Sequence, residues 1–285
     1  MNGFTEQKKT TMSKQQYFYL ISGLPNLSIQ DTHLPLSAKT FLEELKNKID
    51  KEDFNLVCML YYPRDNHNLL NMLFSKNENR QLEGCYSLSE LKKGMEGNMV
   101  LPGYMKNFIA TLKENKNRFS EAEWEAKLAE AYFKEAIKSG NKFLNQWMEF
   151  ELDLKNMLLL LINRKQSLPF SQIIIEANEM AALMKESPAT DFSTQPSIDF
   201  MNQAIKIIET ENFVEREKKI DALRWKKLEE MAFFSYFTVE AISTFIIKLM
   251  IIERWTMLKQ ETGKDFLPSM LHAFTEKIKM PQEEN

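Results

Sequence analysis

The chain has 285 residues, 44% hydrophobic and 27% charged, with 37 basic against 40 acidic residues and a net charge of −3. These are globular proportions, enough to bury a sizeable core, and they exclude a disordered chain or one that fills a membrane. The charges are interspersed, so the concentrated basic face from which a nucleic-acid binder draws its affinity is missing.

Eight Gly and nine Pro are few for this length, and Leu, Lys, Glu, Met, Ala and Ile dominate. That bias towards helix formers predicts an all-α fold. Two cysteines, Cys58 and Cys85, point to a reducing compartment and not to a disulfide framework.

The polar residues 1–16 read as a disordered tail, with Met12 as an alternative start. Tyr17 to Leu24 is apolar, but it is too short for a signal peptide and lacks a small-x-small cleavage site. A first helical unit is expected over 17–83. In it, Ser37 is an N-cap for a helix that carries Phe41, Leu42, Leu45 and Ile49 on one face. Helices over Asp53–Tyr62 and Asn66–Ser75 follow, separated by Pro63 through its missing donor.

Residues 84–103 hold four of the eight glycines and Pro102, and read as a linker or insertion. A second unit spans 104–197. Ser120-x-x-Glu123 is a capping box there, and an apolar stripe runs from Trp124 to Leu161 with a kink at Gly140. Its closing loop is Lys185 to Ser197. The third unit, 198–285, has helices over Ile198–Thr210 and Phe213–Leu258, ending near Gly263. Met231 to Leu258 is greasy, but Glu240, Lys248, Glu253 and Arg254 interrupt it. It reads as a buried helix pair or one core helix and not as a membrane span. Phe233, Phe234, Tyr236 and Phe237 are expected in the core.

Asp65-x-x-Asn68-Leu69-Leu70 and Asp153-x-x-Asn156-Met157-Leu158 share a spacing that hints at an internal repeat. Both pairs are expected to cap or bridge neighbouring helices at equivalent positions. A third copy, expected near Thr238 to Ile242, keeps only its apolar part. On the charged helix Glu215 to Glu230, Asp221 and Arg224 lie next to the apolar side, where a charge needs a partner. Glu240 on the next helix is the partner expected for Arg224.

No chemistry announces itself. No Gly-rich phosphate loop, nucleophile elbow or metal-ligand spacing occurs, and the three histidines, His33, His67 and His272, are far apart. The reading is therefore non-catalytic, with no cofactor, metal or small-molecule substrate. An enzyme with a scattered site, for instance His67, Asp65 and Asp191, stands as the weaker alternative, after a generic helical protein-interaction scaffold.

Three segments carry a resemblance. They are Tyr17 to Leu27 (YFYLISGLPNL), Val214 to Leu228 (VEREKKIDALRWKKL), and Phe233 to Glu240 with Lys248-Leu249 and Ile251 to Trp255. They resemble an uncharacterised bacterial family encoded among V-type ATPase subunits. That family is similar in turn to the C subunit of the V/A-type ATPases, known as the d subunit in the eukaryotic pump.

The resemblance implies a funnel-like array of about three pseudo-repeated helical units, with Asp65, Asn68, Asp153, Asn156 and Arg164 on the repeated helix. In the third unit Phe245-x-x-Lys248 fits the pattern of that ATPase subunit, whereas its acid, Glu253, comes later than in better-known members. The resemblance also implies a rotor part that couples the central axle to the membrane ring during ion transport. Its partners would be central-stalk and ring subunits, and it would be cytoplasmic, peripheral to the inner membrane through those partners alone. Asp221, Arg224, Glu240, Lys248, Glu253 and Arg254 are the remaining candidate structural or interface residues.

Overall fold

The computed structural model describes residues 17–34, 36–74, 81–165, 174–186 and 199–261, with the side chains of 164–165, 186, 199–201 and 257–261 excepted. Ten α-helices carry these residues, and no strand occurs among them. They are α1 (Ala38–Leu45), α2 (Lys51–Leu73), α3 (Leu88–Met95), α4 (Gly103–Asn115), α5 (Glu121–Ala136), α6 (Lys142–Lys165), α7 (Glu179–Glu186), α8 (Asp199–Ile208), α9 (Phe213–Ala232) and α10 (Val239–Glu261). Residues 17–22 add a short helical stretch before α1. The disordered tail expected at 1–16, most of the loop expected at 185–197, and the end near Gly263 fall outside the described residues.

Local signals start several helices where the sequence puts them. The Ser37 hydroxyl accepts from the Thr40 N–H at 3.0 Å and caps α1. Ser120 and Glu123 form the expected capping box of α5, and Ser87 with Glu90 forms another at α3. Asn212 caps α9 by accepting from the Glu215 N–H. Each side chain satisfies a donor that the first helical turn leaves free.

Three expectations need correction. Pro63 does not separate two helices, because α2 runs unbroken through it. A proline removes the donor for the carbonyl four residues back, that of Met59, and the Tyr132 hydroxyl donates to that carbonyl at 3.0 Å instead. The stretch 84–103, expected as a linker or insertion, holds α3. Gly140 does not kink a helix: it sits at φ +85° in the turn between α5, which ends at Ala136, and α6, a conformation that suits glycine. The helix expected over Phe213–Leu258 breaks after Ala232, so Met231 to Leu258 holds the last residues of α9, an aromatic turn and most of α10, and the turn is not core. Phe233, Phe234, Tyr236 and Phe237 are all exposed.

The buried core is continuous across both ends of the chain. In α5, Trp124 is 1% exposed and takes edge contacts from Phe108 and Phe119. A series of tyrosines, Tyr86, Tyr62, Tyr104 and Tyr132, links α3's entry, α2, α4 and α5 with ring centroids 5.8–6.3 Å apart. Tyr104 spends its hydroxyl on the Asn66 side chain at 2.9 Å, so the buried phenol is satisfied. Phe41 of α1 packs edge-on against Phe245 of α10, joining the first helix to the last.

The three longest helices, α2, α6 and α10, have their starts together. The Tyr17 hydroxyl bonds Asp53 near the start of α2. Burial raises the Asp53 carboxyl above its ordinary pKa, and the nearby carboxylates of Asp50, Glu240 and Glu52 add to this. Glu240, in the first turn of α10, accepts from the Asn141 amide just before α6 at 2.7 Å. Further along, Arg64 of α2 meets Glu253 of α10 at 3.0 Å. Both helices advance from the first meeting point to the second, so α2 and α10 run parallel.

Candidate functional site

Two asparagines in the long helices hold passing backbone by the same geometry. Asn68 donates to the Leu82 carbonyl at 2.7 Å and accepts from the Leu82 N–H at 2.9 Å. Asn156 does the same to Ile175, at 3.0 and 2.9 Å. A carboxamide offers one donor and one acceptor side by side, and an extended residue offers the complementary pair.

One turn earlier on each helix stands the aspartate. Asp65 accepts from the N–H groups of Cys85 and Tyr86, both at 3.0 Å, just before the cap of α3. Gly84 allows this approach: a Cβ there would lie 1.9 Å from an Asp65 oxygen. Asp153 accepts from the Asn178 amide at 2.8 Å, and Asn178 in turn accepts from the Ala181 N–H in the first turn of α7. Burial pushes both carboxyls up to about 6, against the pull of the hydrogen bonds they accept.

Glu253 of α10 has a comparable position. It is 5% exposed, one oxygen accepts from the Ala38 N–H at 2.8 Å, and the other pairs with Arg64. The Tyr61 hydroxyl donates to the Ala38 carbonyl at 2.7 Å, so the first residue of α1 is held on both sides. No polar pair like Asp-x-x-Asn stands at Thr238 to Ile242, where the third copy was expected. The carboxylate of α10 that holds a helix start lies about three turns later.

Arg224 does not pair with Glu240. Its Nε bonds Glu151 of α6 at 2.8 Å and its Nη1 bonds Asp221 at 3.0 Å. Burial works against its charge, but Glu151 and Asp221 hold the guanidinium above its ordinary pKa. Asp221 also accepts from Arg254 at 2.6 Å and from the Trp255 indole at 2.7 Å, and Glu217 accepts from the other terminal nitrogen of Arg254 at 3.1 Å. A chain of ion pairs thus ties α6, α9 and α10 together.

Lys248 bonds Glu229 at 3.0 Å and lies 4.5 Å from the Trp225 ring, whose N–H also bonds Glu229. Glu240 stays with Asn141, and hydrogen bonds from Thr238 and Asn141 overcome burial to lower its pKa. The side chain of Arg164 lies outside the described residues. Glu151, Arg64, Asn178 and Asn141 were not singled out from the sequence, where each is one polar residue among many on a helical face.

Six of the exposed large hydrophobic residues among the described ones are aromatic. Phe233, Phe234, Tyr236 and Phe237 at the α9–α10 turn join Phe18 and Tyr19, with Phe18 and Phe237 in ring contact at 4.6 Å. As for catalytic candidates, His67 bonds Asn71 on its own helix, Asp65 is committed to backbone, and Asp191 lies outside the described residues. Among the described residues no group of three or more His, Cys, Asp or Glu is placed to hold a metal ion. No helix among them is long and apolar enough to cross a membrane.

The arrangement defines an all-α protein whose buried polar groups fasten helix starts and helix pairs to one another. The family described as protein of unknown function DUF2764 matches residues 12–278, and the chain belongs to it. No curated protein and no solved structure matches the chain.

Proposed function

We propose that the chain is a non-catalytic helical interaction protein: a stiff frame that presents a docking face to a protein partner. The observation that carries this is the cluster of six exposed aromatic side chains on a frame otherwise closed by buried polar clamps. Contiguous apolar patches of this size mark interaction sites more often than bare surface.

A narrower reading, the rotary coupler of a V-type ATPase, is favoured by the clamps themselves. Each of the three long helices carries, at or past its middle, a carboxylate that receives the start of an eight-residue helix. Asp65 receives the entry to α3, Asp153 that of α7 through Asn178, and Glu253 that of α1. Leu82-Glu83-Gly84 and Ile175-Glu176-Ala177, the clamped segments, are alike in sequence. On this reading the three units follow one another around a closed circuit, with the last long helix taking the first short one. This supports the three-unit funnel that the resemblance to the ATPase coupling part implies. A part that passes rotation from an axle to a ring needs such stiffness, and needs no chemistry of its own.

The test is copurification of the tagged chain from its native cells, with and without detergent-solubilised membranes. Stalk and ring subunits of a V-type ATPase should come with it in stoichiometric amounts. Recovery of a different set of proteins would leave the interaction scaffold and remove the coupler. A chain that purifies alone from solubilised native membranes would remove both.

A further inference from the structure

We propose that the aromatic surface at the α9–α10 turn docks a second copy of this chain, through a twofold-symmetric interface. The inference rests on the docking-face reading, whose occupant it names, and not on the coupler reading.

The surface is built from two distant stretches, Phe18 and Tyr19 before α1 and Phe233 to Phe237 between α9 and α10. The ring contact of Phe18 with Phe237 unites them. Exposure ranges from 39% at Phe237 to 82% at Phe234. With ~200 Å² for a fully exposed aromatic residue, the six present about 700 Å² of surface. A stable interface of standard size takes roughly 800 Å² from each partner. One face meeting its own copy therefore comes close to the required area with aromatic surface alone, before any rim residues contribute.

Charge selects the occupant. No Asp, Glu, Lys or Arg occurs from 17 to 30 or from 231 to 239. Across a twofold axis a patch meets itself, so a charged patch would set like charges against one another, and an uncharged one does not. A strongly acidic or basic partner would have to desolvate its charges against these rings with nothing to pair them. An anionic membrane is disfavoured for the same reason, as the patch offers it no cation. Aromatic faces and edges, by contrast, complement one another in offset and edge-on packing, as Phe233 and Phe234 already do within one copy at 89°.

Sedimentation equilibrium of the full chain at micromolar concentration tests this, beside Phe234→Ser/Tyr236→Ser. Both positions are largely exposed, so the variant should keep the helical circular dichroism and melting midpoint of the wild type. The wild type should be a dimer, and the variant should weaken dimerisation at least about 100-fold, as loss of two central aromatic anchors does. A monomeric wild type would overturn the proposal, and so would a dimer indifferent to the double substitution. Flotation with phosphatidylcholine vesicles separates the remaining occupant: if the wild-type chain floats and the variant does not, the surface serves a bilayer and the proposal fails.

Discussion

Replacing Asn156 by alanine takes two hydrogen bonds from the main chain of Ile175, which is 3% exposed. Water does not reach that residue, so its N–H would be left without a partner, while its C=O keeps the Ala177 N–H at 3.1 Å. An unsatisfied buried group costs about 1–3 kcal/mol, so the variant should lose about that much. For a domain of typical stability, about 5–15 kcal/mol, that is a measurable share.

The same helix supplies the control. Asn163 is 4% exposed, but its amide donates to the Leu159 carbonyl, which already belongs to the helical ladder. Asn163→Ala deletes the same atoms with the same change in helix propensity, orphans no group among the described residues, and should cost less than about 1 kcal/mol. Asn68→Ala falls between them, since its client Leu82 is 40% exposed and water can replace the lost partner. Urea denaturation with an unchanged m-value measures all three. Equal losses for the 156 and 163 variants, or a loss under about 1 kcal/mol for both, would refute the clamp.

Arg224→Ala should cost about 3–5 kcal/mol by leaving Glu151 unpaired and Asp221 with less compensation, in chemical denaturation, whereas Glu240→Ala should leave the Arg224 network intact. Tyr132→Phe should cost about 1–2 kcal/mol by orphaning the Met59 carbonyl; in a Pro63→Ala background the new N–H takes that carbonyl, and a double-mutant cycle should show the loss shrink. Burial raises Asp65 from 3.8 to about 6, so its protonated form is the one the fold favours. The associated stability is full below pH ~4 and is lost as pH rises through ~6, up to about 3 kcal/mol; Asp65→Asn should flatten that slope in denaturation series across this range.

What could be read from the sequence was local or repeated. The caps at Ser37 and Ser120 depend on residues three apart, and the Asp-x-x-Asn spacing at 65 and 153 shows itself by recurring. What could not be read depends on distant partners. The carbonyl freed by Pro63 is taken by Tyr132 and the charge of Arg224 by Glu151, each 73 residues away. A proline in sequence shows the missing donor but not the hydroxyl that substitutes for it. The aromatic turn misled for a different reason. Apolar density at 233–237 has the composition of core, and only the packing of α9 against α10 decides that this turn points out.

The two Asp-x-x-Asn clamps also explain a difference between the segments they hold. An asparagine that brackets a main-chain N–H and C=O reads any residue, so Leu82 and Ile175 need no common side chain. The aspartate is more demanding. Asp65 reaches the backbone itself, and the residue preceding its clients must be glycine, because a Cβ at Gly84 would overlap the carboxylate. The corresponding residue in the other segment is Ala177, which carries that Cβ. There Asp153 bonds no main-chain donor of the segment but the side chain of Asn178, which extends the reach to the Ala181 N–H. The longer relay accommodates the methyl group. Gly84→Ala should then force Asp65 off the Cys85 and Tyr86 donors and cost about 1–3 kcal/mol from overpacking alone. Adding Cys85→Asn to that variant supplies the relay found at 178 and should recover part of the loss in thermal denaturation. No recovery would show that the two clamps are alike in sequence spacing but not interchangeable in their mechanics.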